Sequence, residues 1–100
     1  MTEQPVTIRT ATRGDADALH RLAALDSAPP LAGRVLLAEA GGVPLAAVSL
    51  ESGTVTADPF QHSADAVRLL RLRRYLVLRQ GSDVAPARSL LRRLVPSVAR

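Results

Sequence analysis

Hydrophobic and polar residues alternate over residues 6–10, with the two-residue period of a half-buried β-strand. Thr12 stands three residues before Asp15, a spacing typical of a helix N-terminus in which the threonine hydroxyl accepts an early helical N–H. Apolar residues then recur at helical spacing until Pro29 and Pro30, which cannot continue helical hydrogen bonding. The pattern predicts one strand followed by one helix.

Three more strands are predicted after the prolines. Residues 34–40 and 45–50 are apolar on both faces of a strand, and the two glycines between them favour a tight hairpin turn. A second turn at residues 51–53 leads into residues 54–57, whose alternation indicates a third antiparallel strand. Because strands that are apolar on both faces need cover on both faces, we expect this meander to be covered on both sides.

A second helix is predicted over residues 64–79, with Ser63 as its N-cap and Gly81 as its C-terminal stop. Its apolar residues fall into two stripes with arginines between them. The two stripes are Leu69-Leu72-Leu76 and Val67-Leu70-Val77-Leu78. Two interpretations remain open at this point: the helix is covered on two sides, or one stripe is a surface for a partner.

Basic residues concentrate in the last third of the chain. Residues 1–66 contain four arginines and eight acidic residues, whereas residues 67–100 contain nine arginines and one aspartate. All 13 basic residues are arginine, which a GC-rich coding bias explains as well as selection does. A solvated basic face is the favoured interpretation, and binding of nucleic acid or an anionic membrane is the alternative. The residues of such an anionic-partner face would be Arg71, Arg74, Arg88, Arg92 and Arg93.

The composition indicates a thin hydrophobic core. Alanine supplies 17 of the hydrophobic residues, and the only aromatic residues are Phe60 and Tyr75, so each buried position contributes little transfer free energy. We therefore expect a second subunit or a partner to cover apolar surface, and we predict a homodimer. Cysteine is absent, which excludes disulfides, thiolate metal sites and a cysteine nucleophile.

The location of the protein is predicted from what its N-terminus lacks. Residues 1–5 show neither the basic start nor the apolar stretch of a secretory signal. No apolar run reaches the roughly 18 residues of a membrane span. We expect a cytoplasmic protein without a transmembrane span.

The order of the predicted elements, together with two short runs, resembles the first half of the GNAT family of N-acetyltransferases. The run from Ile8 to Leu19 is similar to that family's opening strand and capped helix, and residues 35–50 are similar to its second and third strands. The resemblance covers residues 6–57, and residues 64–79 by order alone. It implies an α+β fold in which residues 1–80 form a truncated, GNAT-like half domain. Residues 81–100 would be a basic tail with a short amphipathic helix.

The chain departs from that family where the acetyl-CoA pyrophosphate would bind. The family places a glycine-rich loop there, whose backbone N–H groups hold the phosphates. Here residues 58–63 contain no glycine. Gln61 can take the first position of the loop, but Ala64 and Ala66 stand where glycines are expected, and Asp65 would put a carboxylate beside the diphosphate.

This departure favours a non-catalytic domain that binds no cofactor and acts through self-association or a protein partner. The alternative is an acetyl-CoA-dependent N-acetyltransferase whose site is completed by dimerisation. Under that alternative, the resemblance implies that acetyl-CoA would lie against Val55, Thr56, Ala57 and Gln61.

Candidate catalytic groups are few. Glu39 shares a strand face with apolar neighbours and Asp58 ends the third strand of the meander, but an ordinary structural role is the favoured interpretation for both. His20 and His62 are isolated from each other in the sequence, and a metal site normally needs three or four ligands. We predict no metal site.

Overall fold

The computed structural model describes the backbone of residues 5–84 and the side chains of residues 5–80. Four strands and two α-helices follow one another in the order that the sequence pattern predicts, so the α+β fold is confirmed. The elements are β1 (Val6–Thr10), α1 (Ala16–Leu25), β2 (Val35–Ala40), β3 (Val43–Ser49), β4 (Val55–Ala57) and α2 (Ala64–Val84). The short helix predicted in the basic tail, and with it most of residues 81–100, lies outside the described residues.

The four strands form one antiparallel sheet in the order β1-β2-β3-β4. Successive residues of β2 point to opposite faces, because side chains alternate along a strand. Leu36 packs in a buried cluster with Leu70 of α2, and Leu37 packs in a second cluster with Leu22 of α1. One helix therefore covers each face, as the doubly apolar strands led us to expect.

A bulge between β2 and β3 adjusts the sheet beside the first hairpin. Ala38 pairs with Ala46, but Glu39 pairs with Pro44, so Leu45 is an extra residue on β3. As a result, Leu45 and its neighbour Ala46 both belong to the cluster beneath α2. The bulge also places Pro44, which has no N–H to donate, near the start of its strand.

The turn that precedes α1 contains the capping residues that the sequence predicts, Thr12 and Asp15. A short 3₁₀ turn, Arg13–Asp15, leads into the helix. The Asp15 carboxylate accepts the backbone N–H of Thr12 at 2.7 Å and the Thr12 hydroxyl at 3.2 Å. The Thr12 side chain also accepts the backbone N–H of Asp15, so the predicted capping box is present.

Helix α2 is longer than predicted, since it continues through Gly81 to Val84. The expected stop at Gly81 is wrong because glycine lowers helix propensity by only about 1 kcal/mol relative to alanine and keeps its N–H donor. Leu78 is 40% exposed, although Leu70 of the same predicted stripe is fully buried. None of the helices within residues 5–84 is long and apolar enough to cross a membrane.

Candidate functional site

The crossing from β4 to α2 is built from hydrogen bonds among its own residues. Asp58 is only 2% exposed, and its N–H donates to the carbonyl of Leu45 at 2.9 Å. Its Oδ1 accepts the N–H of Phe60 at 2.8 Å, and its carbonyl accepts the Ser63 hydroxyl at 3.2 Å. Asp58 thus shapes the turn, which is the structural role expected of an aspartate before a proline.

A polar groove of about 410 Å³ lies at the start of α2, where the family's phosphate loop would be. It is lined by Pro59, Gln61, His62, Ser63, Ala64 and Asp65. Asp65 stands in the first turn of α2 and forms an ion pair with Arg68. Its negative charge at the rim opposes the binding of a diphosphate, although the helix N-terminus itself favours anions.

The outer edge of β4 is short and partly occupied. Asp58 and Thr54 bond to β3, so in an antiparallel ladder the backbone groups of Val55 and Ala57 point away from it. The N–H of Ala57 donates to the Asp26 carboxylate, which follows α1, at 3.2 Å. While the Asp26 bond holds, the N–H of Ala57 is not available to a ligand carbonyl.

Thr56 lies between these two residues and faces the other way. Its backbone pairs with Ala47 of β3, and its side chain is only 1% exposed. Ala47 belongs to the cluster beneath α1, so the Thr56 side chain points toward that helix. Its Oγ1 is the one buried side-chain polar atom within residues 5–80 that lacks a hydrogen-bond partner.

Glu39 is half-buried, but an arginine occupies both of its oxygens. Arg9 of β1 donates Nε and Nη2 to the two Glu39 oxygens, each at 3.1 Å, and two further N–H groups to Asp15 at 2.8 Å. These bonds hold the pKa of Asp15 well below its usual range and raise that of Arg9. Sequence reasoning missed Arg9, although alternation along β1 could have placed it on the same face.

Glu39 and Asp58 do not form an acid–base pair. Glu39 lies on β2 and Asp58 ends β4, with β3 between them, so their backbones are about two strand spacings, roughly 10 Å, apart. Asp58 is hydrogen-bonded within the crossing, and Glu39 forms an ion pair with Arg9. Their arrangement suits structural support better than proton transfer.

The two histidines also lie apart. The His20 ring nitrogen Nδ1 is 2.8 Å from the carbonyl of Ala16 in the preceding turn of α1, and His62 lines the polar groove. No group of three or more potential metal ligands occurs within the part of the chain that the structure describes.

One arginine of the predicted anionic-partner face is part of the fold. Arg74 donates Nε to the carbonyl of Leu50 at 2.9 Å and Nη2 to that of Glu51 at 3.3 Å. Gly53 makes room for it, since a Cβ there would lie 3.1 Å from the guanidinium. Arg71 is exposed. The remaining members, Arg88, Arg92 and Arg93, lie outside the described residues.

A surface depression of about 570 Å³ lies between the proline-rich linker at residues 28–33 and the turn after β3. Its polar groups are already paired with one another. Glu51 accepts Arg34 Nε at 2.9 Å, which lowers the pKa of Glu51, and the Ser52 hydroxyl donates to Thr54 at 2.9 Å. The bond between Arg34 and Glu51 holds the end of the linker against the turn after β3.

One of the two stripes of α2 is exposed to solvent. Leu69, Leu72 and Leu76, which we call the leucine face, are 42%, 53% and 48% exposed. With Val6 and Ile8 of β1, they line a groove of about 310 Å³. A neighbouring depression shares Arg73 and Leu76 with this groove and extends it toward Arg79 and Gln80. The sequence left open whether this stripe is covered or is a surface for a partner. The sheet covers the other stripe at Leu70 and leaves this one exposed.

No protein-family model matches this chain, and neither a curated protein nor a solved structure matches it. The similarity to N-acetyltransferases therefore stays a prediction that rests on the quoted runs and on the order of elements.

Proposed function

We propose that this protein is a non-catalytic, acetyltransferase-like domain that acts by binding another protein chain through its leucine face. The observation that carries the proposal is the exposure of Leu69, Leu72 and Leu76 on one side of α2, next to the apolar wall of β1. Contiguous apolar surface of this kind is typical of interaction sites.

Two features of the crossing support the non-catalytic part of the proposal. The groove at the start of α2 has an aspartate at its rim and no glycine in its wall, so side chains occupy the approach that a diphosphate would need. At the edge of β4, Asp26 takes the N–H of Ala57 that an amide ligand would use. Both sites present carboxylates where the acetyl-CoA alternative needs donors.

Calorimetric titration of the full chain with acetyl-CoA tests the absence of a cofactor site. We expect no heat of binding at millimolar ligand, with an active acetyltransferase as the positive control. Binding in the micromolar range would contradict the proposal and support the alternative, an N-acetyltransferase completed by dimerisation.

A substitution on the leucine face tests whether these leucines serve binding or folding. Leu72→Glu should change the free energy of unfolding of dilute protein by less than about 0.5 kcal/mol, because the side chain is already half in solvent. Leu70→Ala, at a fully buried position of the same helix, should cost about 2–5 kcal/mol. If Leu72→Glu unfolds the dilute protein, the face belongs to the core and the proposal fails.

A further inference from the structure

Five residues of α2 are spaced alternately four and three residues apart along the helix. This is the 3.5-residue repeat with which one helix packs along another. The three central positions are the leucine face, and the two end positions have opposite charges. The five residues, which we call the seam, are Asp65, Leu69, Leu72, Leu76 and Arg79.

We propose that the leucine face binds a second copy of this chain, with the two α2 helices antiparallel about a two-fold axis at Leu72. The inference rests on the proposed function, because it names the partner of the same surface. A closed pair of this kind uses the same patch on both copies, so each contact occurs twice.

The charges of the seam select the antiparallel order. Asp65 and Arg79 are each seven residues from Leu72, so antiparallel helices place Asp65 of one copy opposite Arg79 of the other. Parallel helices would place aspartate against aspartate and arginine against arginine. The Asp65 side chain pairs with Arg68 of its own helix and is 75% exposed, so Arg79 of the second copy would join this ion pair. Arg79 donates Nη1 to the Tyr75 hydroxyl at 3.1 Å, which orients its guanidinium along the helix.

The groove beside the seam gives the second helix an apolar wall. Val6 and Ile8 flank the leucines on the β1 side, and Arg73 of α2 also lines the groove. A leucine from the second copy would therefore contact both α2 and the sheet edge. The seam spans 14 helical steps, or about 21 Å. Contact along this length from both copies, with the β1 wall added, would have to bury roughly 1,000 Å² to form a stable interface.

Sedimentation equilibrium of the full chain tests the pair. We expect a reversible monomer–dimer equilibrium in the wild-type chain, and a dimer dissociation constant at least tenfold higher in Leu72→Glu. Leu78→Glu is the matched control, because Leu78 is another exposed leucine of α2 that lies outside the seam. A wild-type chain that stays monomeric at every concentration overturns the inference, as does a dimer that is equally weakened by Leu78→Glu.

A charge exchange tests the orientation. Asp65→Arg and Arg79→Asp should each raise the dissociation constant about threefold to tenfold, because each puts two like-charged pairs in the interface. The double variant D65R/R79D should restore the wild-type value. Parallel helices predict no such rescue, so single variants without effect, or a double variant without recovery, overturn the antiparallel order.

The two proposals can fail separately. A monomeric wild-type chain that binds no acetyl-CoA overturns the second-copy inference and leaves the leucine face for a different protein. A dimer that binds acetyl-CoA in the micromolar range overturns the non-catalytic function and leaves the helix pair intact.

Discussion

Arg9 connects three parts of the chain through a single guanidinium. It lies on β1, contacts Glu39 on β2 and reaches Asp15 in the turn before α1. Bidentate arginine–carboxylate bonds of this geometry are stronger than ordinary surface ion pairs. The contacts fix where α1 begins relative to the sheet. Glu39, a candidate catalytic group in the sequence, therefore helps to position a helix.

Replacement of Asp15 by asparagine should make folding less dependent on pH. Because Arg9 and the Thr12 N–H lower the pKa of Asp15 in the folded state, the unfolded state takes up the proton first as the pH falls. The stabilisation is present above the unfolded pKa, about 4, and is lost below it. We expect Asp15→Asn to be less stable than wild type at pH 7 and to lose less stability between pH 5 and pH 3.

Urea unfolding across this pH range measures the difference. Asp17→Asn is the control, because Asp17 is an exposed aspartate in the first turn of α1. It shows how the removal of an exposed carboxylate at the same end of the helix changes the slope. Glu51, whose pKa Arg34 also lowers, contributes to the slope in all variants, so the comparison between variants decides the outcome. An Asp15→Asn slope equal to that of wild type would refute the role of this carboxylate.

Thr56 presents the opposite situation, a buried hydroxyl without a partner among the described side chains. Thr56→Val keeps the shape of the side chain and removes the unpaired polar atom, so it should stabilise the protein by about 1 kcal/mol. The measurement is the free energy of unfolding in urea. Thr54→Val, whose exposed hydroxyl accepts from Ser52, should give no gain. A loss on Thr56→Val would mean that the hydroxyl is hydrogen-bonded in solution.

At the scale of elements, Arg74 joins α2 to the turn between β3 and β4. Its two bonds to the carbonyls of Leu50 and Glu51 satisfy backbone acceptors that the turn leaves without strand partners. Gly53, at φ 78°, gives the turn both its left-handed conformation and the space for the guanidinium. The helix and the turn therefore stabilise each other.

Arg74→Met should separate these two elements. The methionine keeps most of the apolar stem but cannot donate to either carbonyl, so we expect a loss of about 1–2 kcal/mol in the free energy of unfolding. Arg71→Met, at an exposed position one turn away, should change it by less than about 0.5 kcal/mol. Equal effects of both substitutions in denaturant titrations would show that the carbonyl contacts contribute no stability.

The elements could be predicted because their signals are local. Alternation in β1, the glycine pair before β3 and the prolines after α1 each act within a few residues. The end of α2 could not be read in this way, since Gly81 only lowers a propensity that the rest of a long helix can exceed. The pairing of Arg9 with two acids depends on strand register, which the sequence does not display.

At the scale of the whole molecule, the position of the sheet decides which stripe of α2 is buried and which is exposed. Both stripes have the leucine content of a core, and only the sheet position makes Leu70 buried and Leu72 exposed. The alanine-rich strands complete a three-layer fold with two helices, and the structure describes no third element over the leucine face within residues 5–84. The exposure of the leucine face thus follows from the architecture and could not be assigned from the stripe alone.

The contact between Asp26 and Ala57 also limits how copies of this protein can assemble. An uncovered strand edge is a template on which further chains can add, and such growth has no natural end. Here β4 is only three residues long, and a carboxylate occupies one of its outward donors and would repel the carbonyl of an arriving strand. Open-ended fibre growth from this side of the sheet is thereby disfavoured.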